Sequence, residues 1–240
     1  PFYYYDVDLL KKTLRTYTSL TKKYKYHAHY AVKANAEPRI LEIIKNAGLG
    51  ADCVSGNEVL LAVKSGFSPD KIVYAGVGKS NREIRSALDS GIFSFNCESI
   101  PEIQVINELA MARGIVAKIS LRVNPDIDAH THKYISTGRK EDKFGISPWE
   151  FPAVANLLKT INNVKLIGLH FHVGSQITDM SVFPLLCKMV EELQKWWIDN
   201  GFKIENINLG GGLGVDYVDP IGNPIAPFEE YFSLIKKTLI

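Results

Sequence analysis

Short β-branched and apolar runs alternate with amphipathic stretches along nearly the whole chain. Strands are predicted near 27–33, 50–54, 72–76, 92–96, 117–123, 166–173 and 204–209. The first four recur about every 21 residues, close to the shortest strand–helix–strand unit. The first helix, over 6–24, carries Val7, Leu10, Leu14, Tyr17, Leu20 and Tyr24 on one face at three- and four-residue steps. Helix starts are marked by Ser55-x-x-Glu58, Ser80-x-x-Glu83, Ser99-x-x-Glu102 and Ser147-x-x-Glu150, which read as capping boxes. Helix stops are marked by Gly48, Gly66, Gly91, Gly114 and Gly201, where a left-handed residue is wanted.

Such regular alternation implies a parallel sheet, either doubly wound or closed into a (β/α)8 TIM barrel. The strand faces favour the barrel. One face of 117–123 is Lys118, Ser120 and Arg122, one face of 166–173 is Gly168, His170 and His172, and Asn206 and Asn208 share a face of 204–209. A strand between two helix layers should be apolar on both faces, whereas a polar inner face converging on the C-terminal rim suits an enzyme barrel. Only seven strands are counted, and the last helix, around 228–239, is followed by no eighth. An open barrel leaves two unpaired edges, so residues 1–240 read as one barrel domain truncated before its last strand. The first residue, Pro1 rather than Met, points the same way. The longest irregular stretch is 124–147, and loops of that length are usually functional or disordered.

Composition narrows the function class. With 46% hydrophobic and 22% charged residues the chain is globular, and 28 basic against 26 acidic residues give a net charge of +2. That balance supports neither nucleic-acid nor membrane binding by bulk charge. No apolar run approaches the roughly 18 residues of a membrane span, and the N-terminus lacks the regions of a signal peptide. Three widely spaced cysteines, Cys53, Cys97 and Cys187, suit buried thiols in a reducing cytoplasm.

Candidate chemistry sits at the strand ends. Lys33, in YAVKAN, falls at the end of the first strand on the inward face with His29 and Ala31. Burial there would lower its pKa and leave a neutral amine able to form a Schiff base, while a lysine snorkelling to the rim is the alternative. NLGGGLG, at 208–214, ends the seventh strand with three glycines, Gly210, Gly211 and Gly212. They form either a tight turn or a backbone cradle for phosphate, and the position after a late barrel strand favours the cradle. Asp52 lies at the same rim, and Arg122 is an inward charge that needs an anionic or hydrogen-bonding partner. A capping role already accounts for Ser55 and Glu58. The histidines pair as His27/His29, His130/His132 and His170/His172, which invites a metal-dependent hydrolase reading. Against it, no carboxylate shares those inner strand faces. Trp196 and Trp197 on a long helix default to core packing.

YAVKAN, ADCVSGNE (51–58), RVNPDIDAHTHKYISTGRKEDKFGI (122–146), GLHFHVGSQ (168–176) and NLGGGLG occur in the order seen in the diaminopimelate decarboxylase family, which the chain resembles over nearly its whole length. The resemblance implies an alanine-racemase-type barrel binding pyridoxal 5'-phosphate, followed in the family by a C-terminal β-domain absent from this chain. It further implies decarboxylation of meso-diaminopimelate to L-lysine and, for the intact protein, a cytoplasmic homodimer with shared sites. By the same resemblance Lys33 bonds the cofactor covalently, and His172 stacks on its ring. Ser175, Gly210, Gly211 and Gly212 hold the phosphate, while Asp52, Glu58 and Arg122 surround the lysine and cofactor. Asn35, His130, Tyr134 and Lys143 are expected along the rim. Ornithine-type decarboxylases share the barrel, but GSQ after the histidine and the TG…KFG loop fit the diaminopimelate group better. The family's acidic residue for the pyridine nitrogen and its later substrate-binding residues lie outside 1–240, so a non-catalytic cofactor-binding module stays open as a further alternative.

Overall fold

The computed structural model describes residues 2–124 and 144–239. Seven parallel strands pair in chain order: β1 (His29–Ala31), β2 (Gly50–Cys53), β3 (Ile72–Tyr74), β4 (Ser94–Cys97), β5 (Ala117–Arg122), β6 (Val164–His170) and β7 (Asn206–Asn208). Helix α1 (Val7–Tyr24) precedes the sheet. The crossovers are α2 (Pro38–Asn46), α3 (Gly56–Lys64), α4 (Asn81–Asp89), α5 (Ile100–Met111), α6 (Phe151–Thr160) and α7 (Val182–Asp199), and α8 (Phe228–Thr238) follows β7. All seven predicted strands are present.

The local signals act largely as read. Gly48, Gly66, Gly91, Gly114 and Gly201 all have positive φ. Ser80 and Glu83 form the full reciprocal capping box. At α3 and α5 the serine caps the helix, but the glutamate reaches one residue further back. Glu58 accepts from the Val54 N–H at 2.8 Å, and Glu102 from the Glu98 N–H at 2.9 Å. Ser55 and Ser99 enter their helices extended, at φ −149° and −160°, against −74° for Ser80, and so present the preceding N–H instead.

The sheet is curled into a barrel open between β7 and β1. A cavity of about 330 Å³ is lined at once by His29 of β1, Asp52 of β2, Ser94 and Asn96 of β4, Ser120 of β5 and Asn206 and Asn208 of β7. The predicted polar inner face is therefore real, and Ser94 and Ser120 share a buried hydrogen bond across it at 3.2 Å. Outside the strands, Val59, Ile84, Ile103, Val154 and Leu186 pack the helices onto the sheet, and Trp197 is fully buried against Phe151 and Phe202. A second cluster of Leu20, Phe183, Cys187, Tyr231, Phe232 and Ile235 joins α1, α7 and α8. Among the described residues no helix is long and apolar enough to cross a membrane.

Candidate active site

The C-terminal ends of the strands bring the candidate residues to one rim. Strand register sets Ala31 beside Asp52, Arg122 beside His170, and His170 beside Asn208. All the strands but β4 stop one to three residues earlier than expected, and at β1 and β6 this moves a candidate residue off the strand. β1 ends at Ala31, because as an edge strand it has a partner on one side only, and Lys33 sits in the 3₁₀ turn Val32–Ala34 that follows. Lys33 is exposed, so the expected burial of its amine does not occur. β6 ends at His170, level with the last residue of β7, and His172 lies exposed beyond it.

Electrostatics tie these groups together. Burial pushes the Asp52 carboxyl up to about 6; the Lys33 charge opposes the shift, Glu58 adds to it, and Arg122 opposes it. Its Oδ1 is buried without a hydrogen-bond partner. Although solvent reaches the residue, partial desolvation of its ring, then Arg122 and Lys33, hold the His172 imidazole below its usual range. Lys33 thus acts on Asp52 and on His172 alike. The partner that Arg122 needs is Glu98, whose Oε1 accepts from the guanidinium at 2.8 Å with both side chains largely buried. Phe144 covers the other face of that guanidinium, 5.3 Å from ring centroid to Cζ.

The glycine run forms a cradle. Gly210 and Gly212 have φ of +74° and +103°, and a Cβ would meet the Phe171 carbonyl oxygen in the first and the Gly174 carbonyl oxygen in the second. A Cβ on Gly211 would meet nothing within 4 Å, so that backbone faces open space. The Gly210 N–H donates to Asn208 Oδ1 at 2.8 Å, while the N–H groups of Gly211 and Gly212 have no partner among the described residues. Ser175 lies exposed in the neighbouring loop, which is stitched to the glycine loop by the Ile177–Leu213 bridge. Successive N–H groups in a glycine turn fit an anion. With an accessible amine, a flat imidazole and an unpartnered carboxylate oxygen at the same rim, the residues present fit a phosphorylated aldehyde cofactor.

Sequence reasoning therefore named Lys33, Asp52, Glu58, Arg122, His172, Ser175, Gly210, Gly211 and Gly212, and the fold gathers these residues at the C-terminal ends of its strands. His130, Tyr134 and Lys143 lie outside the described residues. Asn35 bonds Tyr5, with its Nδ2 donating to the phenol oxygen at 3.1 Å. Reasoning missed Glu98, whose signal was a charge directly after the buried end of β4, and Lys79. The Lys79 ammonium is buried and donates to the Gly76 and Asn96 carbonyls and to Glu102 at 2.6 Å. Of the histidine pairs, His130/His132 lies outside the described residues, and the other two do not meet, since His29 begins β1 whereas His170 ends β6. Among the described residues no three His, Cys, Asp or Glu side chains are placed to hold a metal.

Residues 7–240 match the family described as pyridoxal-dependent decarboxylase, pyridoxal binding domain. A diaminopimelate decarboxylase of Bacteroides thetaiotaomicron is 51% identical over 97% of the chain and 61% of its own length. One from Aquifex aeolicus is 40% identical over 100% of the chain and 56% of its length. A crystal structure of diaminopimelate decarboxylase from Helicobacter pylori complexed with L-lysine superposes with TM-score 0.88 at 38% identity, covering 100% of this chain and 60% of that one. The chain thus spans less than two thirds of the relatives it matches.

Proposed function

This chain belongs to the pyridoxal-dependent decarboxylases as their pyridoxal-binding domain, and we propose that the protein carrying it decarboxylates meso-2,6-diaminopimelate to L-lysine. The names of its relatives support the substrate. The observation that carries the reading is Lys33, exposed at the rim within electrostatic reach of both Asp52 and His172, on the same rim as the glycine cradle. Bound at this rim, pyridoxal phosphate supplies an aldehyde that bonds amines and a ring that takes up the electron pair left when carbon dioxide departs.

The chain's own residues have separable tasks. Lys33 offers the amine for covalent attachment. Gly211 and Gly212 offer backbone N–H groups, and Ser175 a hydroxyl, to the phosphate. His172, whose imidazole is held below its usual range by partial desolvation, Arg122 and Lys33, presents a flat ring. Asp52 balances the Lys33 charge, and Glu98 fixes Arg122 between Asp52 and the histidines. The protein is proposed to act as a cytoplasmic homodimer, without a nucleic-acid or membrane partner.

The test is to incubate the protein with pyridoxal phosphate, reduce with borohydride and measure peptide masses. A phosphopyridoxyl group on Lys33, absent from Lys33→Ala, is expected, and carbon dioxide release from diaminopimelate should vanish in that variant. Label on another lysine overturns the assignment. Release from ornithine or arginine but not diaminopimelate overturns the substrate.

A further inference from the structure

Gln176 carries a feature that neither packing nor capping explains. Besides Lys25, which caps α1, it is the only described non-glycine residue with positive φ, at 55°. An L side chain rarely adopts this conformation, and keeps it only where its surroundings over-determine it. Gln176 is exposed, so core packing does not hold it there. Its carboxamide does. Nε2 donates to the Val215 carbonyl at 2.5 Å, and Oε1 accepts from the Val215 N–H at 3.1 Å.

Those two bonds extend an existing ladder. The Ile177 N–H donates to the Gly212 carbonyl at 2.7 Å, and the Gly214 N–H to the Ile177 carbonyl at 2.8 Å. The Gln176 amide adds one more rung, standing in for a strand's own N–H and C=O. Its position in the chain is what gives this consequence. Ser175 precedes it directly, and the rung fastens the far end of the loop that begins with Gly210, Gly211 and Gly212. We propose that Gln176 is a positioning residue for the phosphate cradle. It locks the loop after β6 to the loop after β7, so that Ser175 and the Gly211 and Gly212 N–H groups already converge before the ligand arrives. Preorganisation of this kind raises affinity without adding a contact to the ligand. The residue type follows from the geometry: glutamate would set an oxygen against the Val215 carbonyl, and asparagine is one methylene short.

The inference rests on the reading of Ser175 and the glycines as phosphate holders, and the experiment separates the two. Dissociation constants for pyridoxal phosphate and for pyridoxal, which lacks the phosphate, are measured on the full-length apo-protein by absorbance titration. Gln176→Met should weaken pyridoxal phosphate by about tenfold and pyridoxal by less than about twofold, as expected for losing two partly exposed hydrogen bonds that act only on the cradle. Gln176→Gly, which suits the positive φ, should behave the same way. In both variants the ³¹P resonance of the bound cofactor should move toward that of free cofactor. Unchanged affinity for pyridoxal phosphate, or equal weakening of both ligands, overturns the clamp. If Gly212→Ala loses phosphate selectivity and Gln176→Met keeps it, the clamp falls and the cradle stands. If the unaltered protein binds pyridoxal as tightly as pyridoxal phosphate, the cradle reading itself falls.

Discussion

His170 shows how one side chain at the end of a strand sets the acid response of the protein. It is 5% exposed, and its Nδ1 has no hydrogen-bond partner. Burial, then the charges of Arg122, His172 and Lys79, push its pKa down to about 3, and burial pushes His29 down to about 4. As pH falls below the unfolded value of 6.5, the unfolded chain takes up protons that these folded imidazoles refuse. Their contribution is therefore complete above that pH and is lost progressively on acidification, by about 1.4 kcal/mol per pH unit for each group. Asp52 acts in the opposite sense: raised from 3.8 to about 6, it takes up its proton first in the folded state and offsets part of the loss over that window. His170→Gln should thus shrink the loss of stability between pH 7 and pH 5, followed by urea unfolding, by about 2 kcal/mol. A variant whose acid loss matches the unaltered protein would show that His170 is not kept neutral by its surroundings. The sequence placed His170 and His172 together on an inward face, but it could not separate their fates. Whether the strand runs to 170 or to 172 depends on where β7 stops supplying partners, and that is a tertiary fact.

At the scale of elements, the rim is tied together by ion pairs between successive βα loops. Lys79, before α4, donates to Gly76 and Asn96 and pairs with Glu102 of α5, with side chains 1% and 10% exposed. Glu102 in turn accepts the Glu98 N–H, and Glu98 holds Arg122 at the end of β5. Burial outweighs the ion pair and leaves the Glu102 carboxyl above its usual range. Lys79→Met therefore removes the cation paired with a buried acid, and should cost about 3–5 kcal/mol in chemical denaturation at neutral pH. The double variant Lys79→Met/Glu102→Gln should recover much of that loss, because the uncompensated charge is gone. A single variant within about 0.5 kcal/mol of the unaltered protein would mean that water or movement satisfies Glu102 at no cost. The elements themselves were legible, since alternating apolar runs, serine caps and glycine stops are local signals. Lys33, Asp52, Arg122 and the glycine run were legible for the same reason, as charged or Cβ-free residues directly at strand ends. Glu98 carried the same signal, directly after β4, and was passed over, whereas Lys79 and Gln176 were not legible, because nothing local distinguishes a buried lysine or a bonded glutamine from a surface one. The partners of Lys79, Glu98 and Gln176 lie 23, 24 and 39 residues away.

At the scale of the whole molecule, the gap between β7 and β1 decides how the barrel is held. The two edge strands face each other across one cavity without pairing, and the wall between them comes from α1 and α8 through Tyr17, Tyr231, Phe232 and Ile235. Phe232 is the hub of that wall. Its ring packs against Tyr17 at 5.3 Å, Tyr26 at 5.7 Å and Tyr231 at 5.3 Å, and the residue is 4% exposed. Lys23 and Tyr24 of α1 add an exposed clasp on Glu229 of α8, which solvent screens and which contributes little by comparison. Phe232→Ala should cost about 3–5 kcal/mol through the cavity it leaves. Because this cluster is distinct from the main core that spans β2 to β6, the loss should not spread evenly. Hydrogen exchange is expected to rise first in α8 and α1, while the central strands keep their protection until global unfolding. Faster exchange at the rim near Lys33 would follow from the loosened gap, since β1 is paired on its β2 side alone. A uniform rise across all strands would instead mean that the helical wall and the sheet unfold as one unit, and that the open side of the barrel is no weaker than its closed side.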